Sequence, residues 1–333
     1  MKHLHALALA ALLAHPAAAV DDRTPEQILR DQQAVTRYYL AAAEAEGDVL
    51  SDAYVLKLLA LSAGDPESRA KFDPALVARL DVARARLAAR VDAARDNDPV
   101  LLASQLRCHP AARTSPECGQ DLARLAELAG DNGYHHFVLM GHAWAREDAE
   151  GFLRHARLAA EAPGFEPDVH AVFRAVYARL KQVPDDLAPR PEGESDNIPA
   201  AGMLATSVAA AFALPNYQHY VQPCREAEGE LRGHCLAIAD RLLDESSVAI
   251  DIYIAQSIYR AVGDSAGEAR AQARRDRLGW QTQAVSSMEQ RFDRRQWQAY
   301  FDAYAEGGEL AAFAYAAEAM GLPANPPPDW SPR

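Results

Sequence analysis

The sequence contains very little lysine, which occurs only at Lys2, Lys57, Lys71 and Lys181. Arginine supplies most of the positive charge. The 34 basic residues are outnumbered by 47 acidic ones, which gives a formal net charge of -13. Proteins that bind nucleic acid or anionic membrane surfaces need clusters of positive charge, so this balance argues against both kinds of partner.

Long apolar runs are also missing, apart from one short run near the start. Residues 4–13 are mostly apolar but too few to cross a bilayer. They follow Lys2 and precede the small residues 17–19, an order typical of a secretory signal peptide. We predict a signal peptide at residues 1–19, cleaved near Ala19. The mature chain is expected to be soluble and exported, in a bacterial periplasm, and not embedded in the membrane.

Runs of β-branched residues are scarce, and aromatic residues make up only 8% of the chain. Alanine is frequent, and hydrophobic residues amount to 49% of the sequence. This mixture favours helices over sheets and provides enough apolar surface for a packed core. We therefore predict an all-α protein.

Helical stretches end repeatedly in glycine followed by an acidic residue, as at Gly47-Asp48, Gly64-Asp65, Gly263-Asp264 and Gly307-Gly308-Glu309. Glycine adopts the left-handed conformation that closes a helix, and an acidic side chain caps the free amides of the next helix. A chain that repeats this turn is expected to form stacked antiparallel helical hairpins, as an α-solenoid or an irregular α–α superhelix.

The distribution of proline, glycine and charge suggests the domain organisation. We predict an N-terminal helical array at residues 20–183, a linker or exposed loop at 184–199 and a C-terminal array at 200–322. In the second array, an arginine-rich helix is expected to end at Leu278 and a last hairpin to begin at Met288. A proline-rich tail at residues 323–333 cannot be helical and should place Trp330 against the body.

The four cysteines form two groups that are close in the sequence, Cys108 with Cys118 and Cys224 with Cys235. In an oxidising compartment an even number of cysteines indicates disulfides, and we predict the two local pairs. The alternative is one zinc site that uses all four cysteines together with His109 or His234. Their spacing is wider than that of common zinc sites.

The two cysteine pairs also suggest an internal duplication. Aligning Cys108 with Cys224 places Phe137 beside Tyr253 and Asp148 beside Asp264, with one residue inserted between the second pair of cysteines. Independent helical hairpins that converged on one pattern are the alternative explanation.

Three hairpins combine an aromatic residue in the first helix, a turn and small residues in the second. The matching residues are Tyr134, Gly141, Trp144, Asp148 and Ala156; Tyr253, Ser257, Gly263, Asp264 and Ala271; and Tyr300, Tyr304, Glu309 and Ala316. These hairpins resemble tetratricopeptide-type α-solenoid repeats. The resemblance implies a divergent helical array that binds peptides or proteins on a concave face, and it carries over no catalytic residue and no cofactor.

One motif associated with catalysis occurs, at Gly263-Asp264-Ser265-Ala266-Gly267, which matches the G-x-S-x-G pattern of a nucleophile elbow. An elbow requires a preceding strand and a histidine later in the chain. The preceding residues have a helical pattern, and no histidine follows His234. We therefore interpret the motif as a further helix–turn–helix.

Other ionisable groups offer weaker signals for chemistry. Five histidines fall in one region and could supply a metal ligand or an acid–base group: His135, His136, His142, His155 and His170. Acidic pairs such as Asp185-Asp186 and Glu44 with Glu46 could perform glycoside chemistry. Packed histidines and solvated surface charges are the simpler interpretations, so we predict no catalytic residue, metal ligand or cofactor.

The leading functional hypothesis is a non-catalytic envelope protein that binds a protein or peptide or acts as a scaffold. The alternatives are a peptidoglycan-active enzyme or its accessory module, and an inhibitor or immunity protein for a secreted toxin. Aromatic side chains left exposed would be the best anchors for a partner. The candidate binding residues are Tyr134, His142, Trp144, Tyr253, Tyr300 and Tyr304.

Overall fold

The computed structural model describes residues 24–63, 66–108, 115–188, 197–212 and 221–330. Within these ranges the chain is all-α, with short 3-10 turns and no β-strand. The predicted stack of antiparallel helical hairpins is confirmed. The predicted signal peptide, the Gly64-Asp65 turn and His109 lie outside the described residues.

Fourteen α-helices occur in the described part of the chain. They are α1 (Pro25–Glu44), α2 (Val49–Ser62), α3 (Pro66–Arg69), α4 (Pro74–Ala94), α5 (Pro99–Ser104), α6 (Pro116–Leu128), α7 (Gly133–Ala145), α8 (Ala149–Glu161), α9 (Asp168–Leu180), α10 (Ala200–Phe212), α11 (Gly229–Asp244), α12 (Ala249–Val262), α13 (Ser265–Arg291) and α14 (Arg294–Ala319). Short 3-10 helices lie at Arg95–Asn97, Asp185–Leu187 and Gln222–Glu226.

The described helices form two compact units. The first unit consists of the described residues of Met1–Arg95 and Ala171–Ala213. The second consists of those of Asp96–His170 and Leu214–Arg333. The predicted division into arrays at residues 20–183 and 200–322 stays a prediction.

Capping side chains determine where several helices begin. Thr24 and Gln27 form a reciprocal capping box at α1, and Asp48 accepts a 2.7 Å hydrogen bond from the Ser51 amide at α2. These bonds satisfy amides that have no partner inside the helix. Proline occupies the first helical position of five described helices, where its missing N–H costs nothing: Pro25, Pro66, Pro74, Pro99 and Pro116.

The interior of the first unit contains a buried arginine. Helices α1, α2 and α4 pack against one another, and Arg179 of α9 is only 1% exposed. Its guanidinium donates to the carbonyl oxygens of Ala42 and Ala43 at 2.7 and 2.8 Å and pairs with the buried Asp52. α1 has no basic residue in its last turn, so Arg179 supplies the positive charge that C-terminal carbonyls favour.

Gly47 is required for a reason that the sequence did not reveal. The prediction of a left-handed glycine is wrong here, since Gly47 is not among the described residues with positive φ. A Cβ at this position would instead overlap the Arg179 side chain and the Ser51 hydroxyl. The prediction holds at Gly263 and Gly308, where φ is 75° and 79°.

The second unit is a stack in which each helix packs against the next one. α5 packs against α6, α6 against α7, α7 against α8, and α8 against α11, and the order continues through α12, α13 and α14. One large apolar cluster extends through this stack and includes Phe137, Ile238, Ile258 and Leu278. Burial of this shared apolar surface holds the helices side by side.

Two hairpins of this stack close with the same turn. Glu147 and Gly263 are both left-handed, with φ of 60° and 75°. The amides of Asp148 and Asp264 each donate to the carbonyl five residues earlier, at 3.0 and 2.9 Å. The alignment that suggested a duplication pairs these same aspartates, so the local geometry supports it.

α13 is longer than predicted. It continues past Leu278 to Arg291, whereas the sequence analysis ended it at Leu278 and began the next hairpin at Met288. Gly279 is helical, and no proline interrupts the following residues. Glycine lowers helix stability by about 1 kcal/mol, which tertiary packing can outweigh.

α14 begins at Arg294, after a capping box between Asp293 and Gln296. The turn predicted at residues 307–309 is present, because Gly308 has non-helical angles inside α14. At this kink the Glu309 carboxylate accepts a 2.7 Å hydrogen bond from the Ala249 amide. Glu309 thereby caps α12, whose own capping residue makes no side-chain bond.

The cysteines occur as the two predicted local pairs, both at disulfide distance. The sulfurs of Cys108 and Cys118 are 2.11 Å apart, and those of Cys224 and Cys235 are 2.10 Å apart. This pairing uses all four sulfurs, so the alternative of a zinc site built from them is not what the structure contains. None of the described helices combines the length and the apolar character needed to span a bilayer.

Candidate binding surfaces

Three of the aromatic residues predicted as binding positions lie in the interior of the second unit. Tyr134, Tyr300 and Tyr304 are 1%, 7% and 5% exposed. Burial raises the pKa of both Tyr300 and Tyr304, and the nearby Glu309 adds to this effect. These tyrosines stay neutral and pack beside the kink of α14. As placed, they offer almost no surface to a partner.

Tyr253 lies at the seam between α12 and α13 and is half-buried. The guanidinium of Arg275 lies 4.4 Å from the centroid of its ring and also donates to the Gln256 side chain. A further bond of 2.8 Å joins Gln256 to Gln272 across the seam. One face of Tyr253 is therefore already occupied within the hairpin.

Trp144 is the predicted anchor that exposes the most surface, at 40%. It lies in the last turn of α7, and its ring is 5.8 Å from that of Phe152 in α8. The neighbouring Leu153 is 49% exposed. His142, two residues earlier in α7, is half-buried. The tip of the α7–α8 hairpin thus presents an aromatic and an aliphatic side chain to solvent.

The first unit contains an open groove that the sequence analysis did not predict. Its volume is about 770 Å³, and it lies where the end of α2, the short α3 and the first half of α4 come together. Most of the lining is apolar: Ala60, Ala63, Pro66, Ala70, Phe72, Pro74, Val77 and Ala78. Binding pockets for small ligands and peptide side chains have similar volumes, about 300–1,000 Å³.

Three charged residues complete the lining, Arg69, Asp81 and Arg84. Arg69 pairs with Asp81, which neutralises both charges. Arg84 is half-buried, and no carboxylate of the described residues lies within ion-pair distance of it. The groove therefore combines an apolar floor with one positive charge that is not neutralised.

Two large apolar side chains are exposed on the helices that form this groove. Leu61 at the end of α2 is 58% exposed, and Val82 in α4 is 71% exposed. Val82 lies outside the buried stripe of α4, which contains Leu76, Leu80 and Leu87. An apolar residue outside the stripe is the signal that could have indicated this surface from the sequence.

The histidine region forms buried contacts instead of a group with metal-ligand geometry. His135 and Asp168 are 2% and 7% exposed, and their side chains are joined at 2.8 Å. Burial alone would lower the pKa of His135, but the charge and hydrogen bond of Asp168, together with the charge of Asp98, raise it above its ordinary value. His170 lies 3.2 Å from the Ala305 carbonyl oxygen. Among the described residues, no three metal-binding side chains form a possible site.

A second histidine contact lies between α7 and α8. The rings of His136 and His155 are stacked 5.5 Å apart, and their Nδ1 atoms are 3.4 Å apart. Burial lowers the pKa of both, and lowers that of His155 to about 4. A neutral pair is expected at neutral pH, which suits a packing role.

The G-x-S-x-G motif is part of a helix–turn–helix. α12 precedes it, Gly263 is its left-handed end, and Ser265 is the exposed first residue of α13. Gly267 is buried, and a Cβ there would overlap the ring of Tyr259. The second glycine of the motif therefore allows close helix packing, and no strand leads into Ser265.

The acidic pairs lie in the first unit. Glu44 pairs with Arg79 at 2.8 Å. The backbone carbonyl of Glu46 accepts a 2.8 Å hydrogen bond from Gln182. Asp185 and Asp186 lie in the 3-10 helix Asp185–Leu187.

Comparisons of the chain with protein-family models, curated proteins and solved structures find no match. The chain's own geometry therefore has to support any functional inference.

Proposed function

We propose that this chain is an exported helical-repeat protein that binds a protein or peptide partner in the bacterial cell envelope, without catalysing a reaction on it. The single observation that carries the proposal is the open apolar groove formed by α2, α3 and α4. A groove of this size accepts a few side chains of an extended segment.

The stacked hairpins of the second unit support the same proposal. Their helices pack in chain order, as expected for a divergent tetratricopeptide-type array. Such arrays provide long surfaces on which other chains dock. Trp144 and Leu153, which are exposed on one hairpin, would be anchors on such a surface of the second unit.

Two features favour export. The cysteines occur as two pairs at disulfide distance, and disulfides persist in oxidising compartments. The sequence also begins with the charge and apolar pattern of a signal peptide.

The charge in the groove suggests what the partner presents. Arg84 lies in a mostly apolar lining, where the nearby Asp81 is paired with Arg69, and among the described residues no carboxylate forms an ion pair with Arg84. A peptide segment with apolar side chains and one carboxylate would bury its apolar surface and place its negative charge at Arg84. The buried apolar surface and the ion pair would both contribute to binding.

A substitution that fills the groove tests the proposal. Ala78 is exposed and lines the groove, so Ala78→Trp should block it. Ala89 is also exposed on α4, about three turns further along and outside the groove, so Ala89→Trp is the matched control. The tagged mature chain and both variants are used to capture partners from envelope extracts, and the captured protein is then titrated by calorimetry.

We expect the unaltered chain and Ala89→Trp to bind the captured protein equally, and Ala78→Trp to bind at least about tenfold more weakly, which corresponds to about 1.4 kcal/mol. Arg84→Glu should also weaken binding, because it replaces the positive charge proposed to face the partner's carboxylate. If Ala78→Trp binds the same partner with unchanged affinity, the groove is not the binding site.

A further inference from the structure

The C-terminal tail is docked on α13 by specific contacts. Gly321 is left-handed, with φ of 71°, and the Leu322 amide donates to the Ala317 carbonyl at 2.8 Å, which ends α14. Beyond this cap, the indole N–H of Trp280 donates to the Pro323 carbonyl at 2.7 Å. This bond holds the beginning of the tail on α13, and the predicted packing of Trp330 on the body is confirmed by its contact with Trp280.

Trp330 makes the second contact between the tail and α13. Its ring meets that of Trp280 edge-on, with centroids 6.0 Å apart and planes at 78°. This arrangement is favourable for aromatic pairs. A Cβ on Gly279 would lie only 3.1 Å from the Trp330 ring. The bare backbone of Gly279 therefore lets the ring approach the helix.

Glycine in the middle of a helix lowers stability by about 1 kcal/mol relative to alanine. At position 279 this cost is offset, because the absence of a Cβ allows the Trp330 ring to pack against the helix. Gly279 and Trp280 together form a small surface with a flat contact area and one indole donor. We name it the Gly279–Trp280 surface.

The chemistry of the tail matches this surface. Prolines at positions 323, 326, 327 and 328 have no N–H and hold their own φ near -65°. They also keep the residues before them extended. Such a segment has carbonyl oxygens with few local donors, and aromatic surfaces with an N–H donor recognise it well.

The tail is attached by few contacts and remains largely exposed. Pro323, Pro327 and Pro328 are exposed, and Trp330 is half-buried. A segment held in this way can leave its site without unfolding the helices beneath it. Its tether then keeps it close, at an effective concentration on the order of millimolar.

We propose that the Gly279–Trp280 surface is a recognition site for proline-rich segments that carry an aromatic residue. The chain's own tail is its resident ligand, and a proline-rich segment of a partner protein occupies the site when it displaces the tail. This site is separate from the groove of the first unit, and the proposal does not depend on that groove.

The test uses a synthetic peptide with the sequence of residues 321–330 and blocked ends, labelled for fluorescence anisotropy. The full-length chain with Trp330→Ala has a weakened tail and should bind the peptide saturably at a ratio of one to one. The unaltered full-length chain should bind about tenfold more weakly, because its tethered tail competes. A peptide with alanine at all four proline positions should also bind at least about tenfold more weakly to Trp330→Ala, because it must be ordered on binding.

Two further substitutions in the Trp330→Ala chain locate the site. Gly279→Val removes the space for the aromatic ring and should abolish binding, whereas Ala273→Val at an exposed position of α13 should leave it unchanged. Trp280→Phe keeps a ring but loses the indole donor and should weaken binding. Circular dichroism checks that each variant is folded.

Three results would each overturn the proposal. The first is no binding to folded Trp330→Ala at millimolar peptide. The second is equal affinity for the unaltered chain and Trp330→Ala, which would place the peptide elsewhere. The third is unchanged binding when folded Gly279→Val is combined with Trp330→Ala.

Discussion

The backbone of Glu147 takes the same left-handed conformation as that of Gly263, with φ of 60° and 75°, at the turn that closes each hairpin. In this region the Cβ of an L-residue comes close to a carbonyl oxygen, which costs roughly 1–2 kcal/mol. Glycine has no Cβ. The first hairpin therefore carries a strain that the second avoids.

Glu147→Gly should increase the free energy of unfolding by about 0.5–1 kcal/mol, because relief of strain outweighs the extra freedom of the unfolded chain. Gly263→Ala should decrease it by about 1 kcal/mol for the opposite reason. Urea unfolding followed by circular dichroism measures both changes. Glu150→Gly, in the first turn of α8, is the control and should be destabilising, because the backbone there is already helical and glycine lowers helix stability.

These turns could be predicted from the sequence because the residues that determine their conformation lie next to them in the chain. A left-handed glycine or a capping carboxylate such as Asp48 depends on residues within one turn of helix. The role of Gly47 could not be predicted in this way, because the side chain that it accommodates belongs to Arg179, far along the chain. The end of α13 was placed too early because packing over Gly279 outweighs the low helix propensity of glycine.

The candidate groove is a second feature that could not be predicted from the sequence. Its concave shape depends on how α3 is placed between α2 and α4, and no local pattern determines that placement. The spacing of three and four residues between Leu76, Leu80, Ala83 and Leu87 is typical of the buried side of a helix, and these residues are buried in α4. That spacing carries no information about which other side of α4 lines an open groove.

Stability should fall as the pH is lowered from about 6.5 towards 4. Burial holds the pKa of His155 at about 4, with Arg154 and His136 adding to the effect. In the unfolded chain the pKa of this histidine is about 6.5, so the unfolded state binds more protons than the folded state between about pH 4 and this value. We expect a loss of about 1–3 kcal/mol from this group, measured by urea unfolding at several pH values.

His155→Phe removes this titration and should make the pH dependence shallower. His135 acts in the opposite direction, because Asp168 raises its pKa above the unfolded value. Its stabilisation is complete below the unfolded pKa and is lost as the pH rises through the raised one. His135→Gln should therefore remove a rise in stability that occurs as the pH is lowered towards about 6.5, and should leave the slope at lower pH nearly unchanged. An unchanged slope in His155→Phe would contradict this assignment.

Breaking the buried pair of Arg179 and Asp52 should be strongly destabilising. Arg179→Met leaves the fully buried Asp52 carboxylate with only the partly exposed Arg90 as a cationic partner, and such changes cost about 3–5 kcal/mol. Removing both charges in Arg179→Met with Asp52→Leu should recover a large part of this loss. Arg79→Met, which breaks an exposed pair with Glu44, should cost less than about 1 kcal/mol.

A double-mutant cycle over Arg179 and Asp52 measures their coupling directly. Additive effects of the two single substitutions would show that the pair does not act as a unit. In that case the hydrogen bonds from Arg179 to the carbonyls of Ala42 and Ala43 would account for its contribution.

Substitution by alanine should destabilise the protein at Gly267 and have almost no effect at Ser265. A Cβ on Gly267 would overlap the Tyr259 ring, and that ring cannot swing away freely because its hydroxyl donates to Asp240 at 2.6 Å. Gly267→Ala should therefore lower the free energy of unfolding by about 1–3 kcal/mol. Ser265 is exposed, so Ser265→Ala should change it by less than about 0.5 kcal/mol. Thermal unfolding measures both changes.

An esterase assay with p-nitrophenyl butyrate tests whether Ser265 is a nucleophile. Ser265→Ala should give the same rate as the unaltered chain. An esterase activity that this substitution removes would restore the nucleophile interpretation.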